Sequence, residues 1–234
     1  MQIFPTDWRT AMVLVAHPDD VEYGMAAAVD RWTGEGRTVS YLLATSGEAG
    51  IEGMAPKVAG PLREQEQRRS ADRVGVADVA FLGFPDSRLR TTDQLRTAIA
   101  AAVADRRPEL VLVGYFGAEW APDVPNQSDH MEFGRAAVQA LDSTEYRLFE
   151  QAVQPDHLVD VEGHTDAAIR SLAEHHEYLS VLDPQTPVWQ QAEKQVLMSC
   201  PERAELDGHR GVGFRLLTPG RPAGGEVLGQ VGRD

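Results

Sequence analysis

At 234 residues the chain is long enough to bury a substantial core, most simply as one large α/β domain. Its 22 Lys+Arg against 36 Asp+Glu, a formal charge of −14, exclude a phosphate-tracking nucleic-acid surface and docking on anionic lipid. Cys200 is the only cysteine, which rules out an internal disulfide or a cysteine zinc cluster; no apolar run approaches membrane-spanning length and the first residues lack a signal-peptide pattern, so a soluble cytoplasmic protein is expected.

The first element is a strand. Met12 to Ala16 are five successive apolar residues, as in a parallel sheet covered on both faces. His17-Pro18-Asp19-Asp20 forms the turn at its carboxyl end, and Met25 to Ala28 are good helix formers, which puts Asp19 and Asp20 near a helix N-terminus. Ligands bind at this edge of an open α/β sheet. His17 and Asp20 can aim at one point, offering a neutral nitrogen and an anionic oxygen that suit zinc, and Asp19 between them is free for a different task. Simple helix capping is the competing reading, but capping needs one acceptor and no imidazole.

These residues carry a resemblance. AHPDDVEYG is similar to the signature of the LmbE-like/PIG-L family of metal-dependent N-deacetylases, which implies Zn²⁺ as cofactor and an N-acetylglucosamine-containing substrate.

Gly34 and Gly36 bracket the end of the first helix, and Thr38 to Ala44 read as the second strand. Residues 45–61 are rich in glycine and proline without periodicity and read as a long loop at the same edge. Within it, Thr45-Ser46-Gly47-Glu48 resembles the family's Thr-x-Gly-Glu element, which would give Glu48 a place in the pocket; a solvated turn is the plain alternative. Leu62 to Val74 form an amphipathic helix whose Arg63 to Glu66 look like the family's Arg-x-x-Glu, implying that Arg63 holds substrate hydroxyls or a phosphate, unless it is one more surface arginine. Val79 to Phe84 form a third strand ending in Pro85-Asp86-Ser87, where the resemblance has Asp86 contact the sugar and the residues alone would make an ordinary turn.

Thr92 to Asp105 form a helix capped by Thr91 or Thr92, Leu110 to Tyr115 the next buried strand, and Phe116 to Gln127 a second long loop. Asn126-Gln127-Ser128-Asp129-His130 then precedes a helix with Phe133, Ala136, Ala137 and Leu141 at helical spacing. This resembles the family's His-x-x-His segment, and His130 fills the place of the third metal ligand. Gln127 stands where the first histidine would be; its amide can donate to an oxyanion but cannot carry a proton. His157, in another Pro-Asp-His, runs into a strand entrance and reads as an exposed turn residue.

Leu158 to Val161 read as a late strand, followed by a helix from Thr165 to Val181. His175 looks like the histidine of the family's His-x-Ser-Gln, though Ser-Gln is missing, and a structural or a substrate-binding histidine both fit. Pro187 to Met198 could form another helix and Val212 to Leu217 a last strand. The expected fold is α/β, a Rossmann-like three-layer sandwich with a mostly parallel sheet over residues 1–220, followed by a Gly/Pro-rich tail at 221–234.

The resemblance implies a zinc-dependent hydrolase that removes an acetyl group from a small N-acetylated sugar or glycoside, with Asp19 as general base and His17, Asp20 and His130 on the metal. The alternatives are a thiol-conjugate amidase using the same metal site and a non-catalytic carbohydrate-binding relic. A nucleotide-binding Rossmann protein is disfavoured, since no Gly-x-Gly-x-x-Gly follows the first strand. A homo-oligomer is left open.

Overall fold

The computed structural model describes residues 1–141 and 145–220, so the tail expected at 221–234 lies outside the described residues. In chain order the elements are β1 (Gln2–Ile3), β2 (Thr10–Val15), α1 (Ala26–Gly34), β3 (Thr38–Leu43), α2 (Pro56–Arg73), β4 (Asp78–Phe81), α3 (Asp93–Arg106), β5 (Leu110–Val113), β6 (Glu119–Ala121), β7 (Val124–Pro125), α4 (Ser128–Ala140), β8 (Arg147–Gln151), β9 (His157–Asp160), α5 (Thr165–Ala173), α6 (His176–Leu182), α7 (Val188–Ser199) and β10 (Gly211–Thr218).

Eight strands form one sheet in the order β1-β9-β10-β8-β5-β2-β3-β4. All neighbours are parallel except β10, which runs antiparallel to both β8 and β9. The alternation of β2 builds three layers from one apolar run. Val13 and Val15 point into the core that holds Val29 and Trp32 of α1, Ala71 of α2, Leu172 of α5 and Val196 of α7. Met12 and Leu14 point the other way, onto Leu95 and Ile99 of α3 and Phe133 and Ala137 of α4. From β2 the chain steps outward through β3 to β4, then returns to place β5 on the other flank of β2. The carboxyl ends of β2 and β5 therefore frame the switch-point crevice where such sheets bind ligands.

Several elements differ from the sequence reading. The turn residues 17–25 precede α1, so Asp19 and Asp20 are not in its first turn; bonds from Tyr23 N to Asp19 O (3.0 Å) and Met25 N to Val21 O (2.7 Å) coil this stretch instead. Helix α2 begins at Pro56, six residues before Leu62, which shortens the preceding loop. Pro56 sits at the helix start, where its missing N–H costs nothing, and Pro61 is carried inside the helix. Residues 116–127 contain the β6–β7 hairpin. Strand β8, unforeseen, buries Glu150, whose carboxylate accepts from Phe116 N at 3.1 Å and pairs with Arg215. The helix expected over 165–181 breaks at His175, where the Glu66 carboxylate of α2 accepts from Glu177 N at 2.8 Å and so caps the first turn of α6. His157 is buried on β9 against Phe149, not exposed in a turn.

Candidate metal centre

Two segments supply the centre. His17 and Asp20 follow β2, and His130 stands in the first turn of α4, reached by the connection from β5. Asp20 is fixed by its own turn, with Oδ2 accepting from Ala16 N (3.0 Å) and His17 N (2.9 Å). Its other oxygen lies 3.0 Å from His130 Nε2, and His130 Nε2 lies 3.3 Å from His17 Nδ1. The edge of a tetrahedron of zinc bonds 2.0–2.1 Å long is about 3.3 Å.

The partners behind the rings decide which nitrogens carry protons. Asn126 spends its amide N–H groups on Tyr115 O (3.2 Å) and Gly117 O (2.8 Å), so its Oδ1, 2.8 Å from His130 Nδ1, accepts the proton there. His17 Nε2 faces Asp86 Oδ1 at 3.2 Å and Asp129 Oδ2 at 3.5 Å and is likewise the protonated nitrogen. The remaining lone pair of each neutral ring then faces the other and the Asp20 carboxylate. Three electron-pair donors converging with no proton between them fit a divalent cation, and a carboxylate or amide oxygen behind each imidazole is how metal-binding histidines are oriented. A proton drawn into the same place has the same cause. Burial opposes it, yet the carboxylates of Asp129, Asp20 and Asp86 raise the His17 pKa well above its ordinary value. Burial would raise the Asp20 carboxyl, but His130 and His17 outweigh it and hold it well below the carboxylate range.

Asp19 is outside this triad. Its backbone has φ of +92°, rare for a residue with a side chain, and its carboxylate is buried. Burial pushes its pKa up to about 6 against the opposing pull of Arg63. Asp19 and Asp20 with Gln127 and His130 open on a cavity of about 390 Å³, walled by Tyr23, Tyr178, Trp120 and Phe133.

The other residues singled out from sequence lie behind the centre, not on the cavity wall. Arg63, 3% exposed, donates to Pro18 O (2.7 Å), Gly47 O (3.0 Å) and Asp19 Oδ2 (3.2 Å), so its guanidinium is engaged within the protein. Asp86 faces His17 and also accepts from Ala49 N at 2.9 Å. Glu48 Oε1 accepts from Asp86 N at 2.8 Å and so fixes the loop that carries Asp86. His175 is fully buried with Nε2 3.6 Å from Glu22 Oε2, out of reach of a ligand in the cavity. Sequence reading missed Asn126, four residues before His130 across the first turn of α4, and Gln67, one helical turn after Arg63 on the same face of α2. Both spacings were visible, but neither residue type announces a role.

The family model described as "PIG-L: GlcNAc-PI de-N-acetylase" matches residues 12–141. The chain is 25% identical to the diacetylchitobiose deacetylase of Thermococcus kodakarensis, over 92% of this chain and 85% of that protein. It is 29% identical to the "Probable N-acetyl-alpha-D-glucosaminyl L-malate deacetylase 2" of Bacillus anthracis, over 57% of this chain and 59% of that one. Among solved structures, the N,N'-diacetylchitobiose deacetylase from Pyrococcus horikoshii, complexed with its inhibitor MPG, shares the fold with a TM-score of 0.75, covering 91% of this chain and 85% of that chain at 18% identity.

Proposed function

The chain belongs to the PIG-L family of de-N-acetylases, and from that premise we propose that it is a zinc-dependent hydrolase that removes the acetyl group from the nitrogen of a small N-acetylated amino sugar or glycoside. One observation carries the reading: two imidazole lone pairs and the Asp20 carboxylate converge beside a buried carboxyl, Asp19, that is not among them.

His17, Asp20 and His130 would hold the ion, which supplies Lewis acidity toward the acetamide carbonyl and a water acidic enough to lose a proton near neutral pH. Asp19, with a pKa of about 6, is largely ionised at pH 7 and yet basic enough to take that proton as the water oxygen bonds to the carbonyl carbon. Arg63 holds the Asp19 carboxylate in place at 3.2 Å, and the Tyr178 ring covers the guanidinium at 4.2 Å. Negative charge grows on the former carbonyl oxygen, and the Gln127 amide, on the cavity wall, can donate to it; one such donor is typically worth about 3 kcal/mol. The carbon–nitrogen bond then breaks as Asp19 returns its proton to the nitrogen. Acetate and a free amino sugar leave.

The test combines elemental analysis with an assay of acetate release from N-acetylated sugars. Stoichiometric zinc and turnover abolished by chelation are expected. Asp19→Asn should keep the metal and lose at least about a thousandfold in kcat, whereas His130→Ala should lose the metal. Full activity in Asp19→Asn would refute its role as base.

A further inference from the structure

One fully buried histidine has no part in the chemistry above. Helix α5 stops at Ala173 and α6 starts at His176, and His175, at the break between them, has φ of −77° and ψ of 48°. Its Nε2 lies 3.6 Å from Glu22 Oε2, and neither ring nitrogen nor that oxygen has a hydrogen-bond partner among the described residues. Glu22 lies two residues after Asp20, and its other oxygen is in full use: Oε1 accepts from Gln67 Nε2 (2.9 Å) and Ser70 Oγ (2.7 Å) of α2. Gln67 Oε1 in turn accepts from Asp19 N at 2.8 Å. The break is tied to α2 on both sides. Before it, Ser171 Oγ of α5 donates to Ser70 O at 2.9 Å; after it, Glu66, next to Gln67, accepts from Glu177 N at 2.8 Å. His175, Glu22, Gln67, Ser70 and Ser171 are all buried.

Resting on the deacetylase reading for its effect on turnover, we propose that His175 is a positioning residue: it holds the Glu22 carboxylate, Glu22 holds the Gln67 amide, and Gln67 holds the backbone of Asp19. The general base is then aimed from the α5–α6 break without any contact between His175 and substrate or metal. Each link has a chemical reason. An amide can turn over and exchange its oxygen for its NH2, which would set a donor against the Asp19 N–H; a carboxylate only accepts, so Glu22 fixes the NH2 on its own side and the oxygen on that of Asp19. Glu22 could itself rotate about its carboxyl bond, and His175 is the polar group that stands at its second oxygen. Packing alone does not call for this arrangement. Apolar side chains of the same volume would join α2 to α5 without the cost of burying a carboxylate, whereas the polar seam ends on the Asp19 amide, at a residue whose φ is +92°.

The experiment measures acetate release, bound zinc and NMR-detected exchange of the Asp19 N–H in the full chain, for wild type, His175→Leu, His175→Gln, Gln67→Leu and the double variant. His175→Leu should lower kcat about tenfold with KM and zinc content near the wild-type values. The Asp19 N–H should exchange at least about tenfold faster while the amides of β2 keep their wild-type rates. His175→Gln, which retains a donor, should restore most of both. Added to Gln67→Leu, His175→Leu should cost less than about a further twofold in kcat, because the two residues act along one path. His175→Phe is the second apolar replacement, used where the leucine variant does not fold. A full multiplicative loss in the double variant, an unchanged Asp19 exchange rate, exchange that rises equally in β2, or zinc lost in step with activity would overturn the role. The deacetylase reading fails separately, if zinc-loaded wild type releases no acetate from any N-acetylated sugar; the exchange rates then still decide whether His175 holds Asp19.

Discussion

The backbone N–H of Asp19 donates to Gln67 Oε1 at 2.8 Å, and this bond holds a residue whose φ is +92°. A non-glycine residue in such a conformation costs about 1 to 3 kcal/mol, so the surroundings must impose it. They do so from one face of α2, where Arg63 grips the Pro18 carbonyl and the Asp19 carboxylate and Gln67 grips the Asp19 amide. Gln67 is itself buried and fixed by donating to Glu22 Oε1 at 2.9 Å, which also accepts from Ser70 Oγ at 2.7 Å. Gln67→Leu removes the acceptor and should lower kcat about a hundredfold, the scale of a displacement of about 1 Å, with KM and zinc content near the wild-type values. Loss of zinc in step with activity would instead mean a general collapse of the turn.

Asn126 is expected to govern metal affinity without touching the metal. It fixes the His130 ring by accepting from Nδ1 while its own amide is pinned to Tyr115 O and Gly117 O. Asn126→Ala should weaken zinc binding about 10- to 100-fold, read by competition with a chelating dye, and kcat at saturating zinc should change less than affinity.

Pro61 breaks the hydrogen-bond ladder of α2 from within. Pro61→Ala restores one N–H donor and removes a steric conflict with the preceding turn, at the cost of a more flexible unfolded chain. The net effect should be a gain of about 1 to 2 kcal/mol, seen as a rise of about 2 to 8 °C in Tm with acetate release unchanged.

Cys200, at the end of α7, is 2% exposed, and burial pushes its thiol up to about 11. A raised pKa keeps the neutral thiol as the dominant form below that value, so at pH 8 the native protein should not react with a disulfide reagent over minutes and should release one equivalent on denaturation. Fast reaction of the native protein would show that α7 opens on that timescale.

The sheet and the centre were legible in the sequence to different depths. β2, β3 and β5 announce themselves as apolar runs, and His-Pro-Asp-Asp after the first of them locates the crevice. β8 does not, because Arg147 and Glu150 interrupt its pattern and the burial of Glu150 depends on Phe116 and Arg215, far away in the chain. The start of α2 is hidden by its own composition, since glycine and two prolines read as loop. Arg63, Asp86 and Glu48 were recognisable as belonging near the centre, but which lie on the cavity and which behind it is a matter of a few ångströms of side-chain direction. Only the folded partners fix that: Gly47 and Pro18 for Arg63, His17 for Asp86, and the Asp86 amide for Glu48.

The reversed strand β10 has a consequence for how the molecule is made. Among the described residues it alone joins the parallel pair β1–β9 to the block that runs from β8 to β4, so that part of the sheet stays in two pieces until residues 211–218 are synthesised and inserted between them. Nascent chains that stop short of this segment carry two unpaired strand edges.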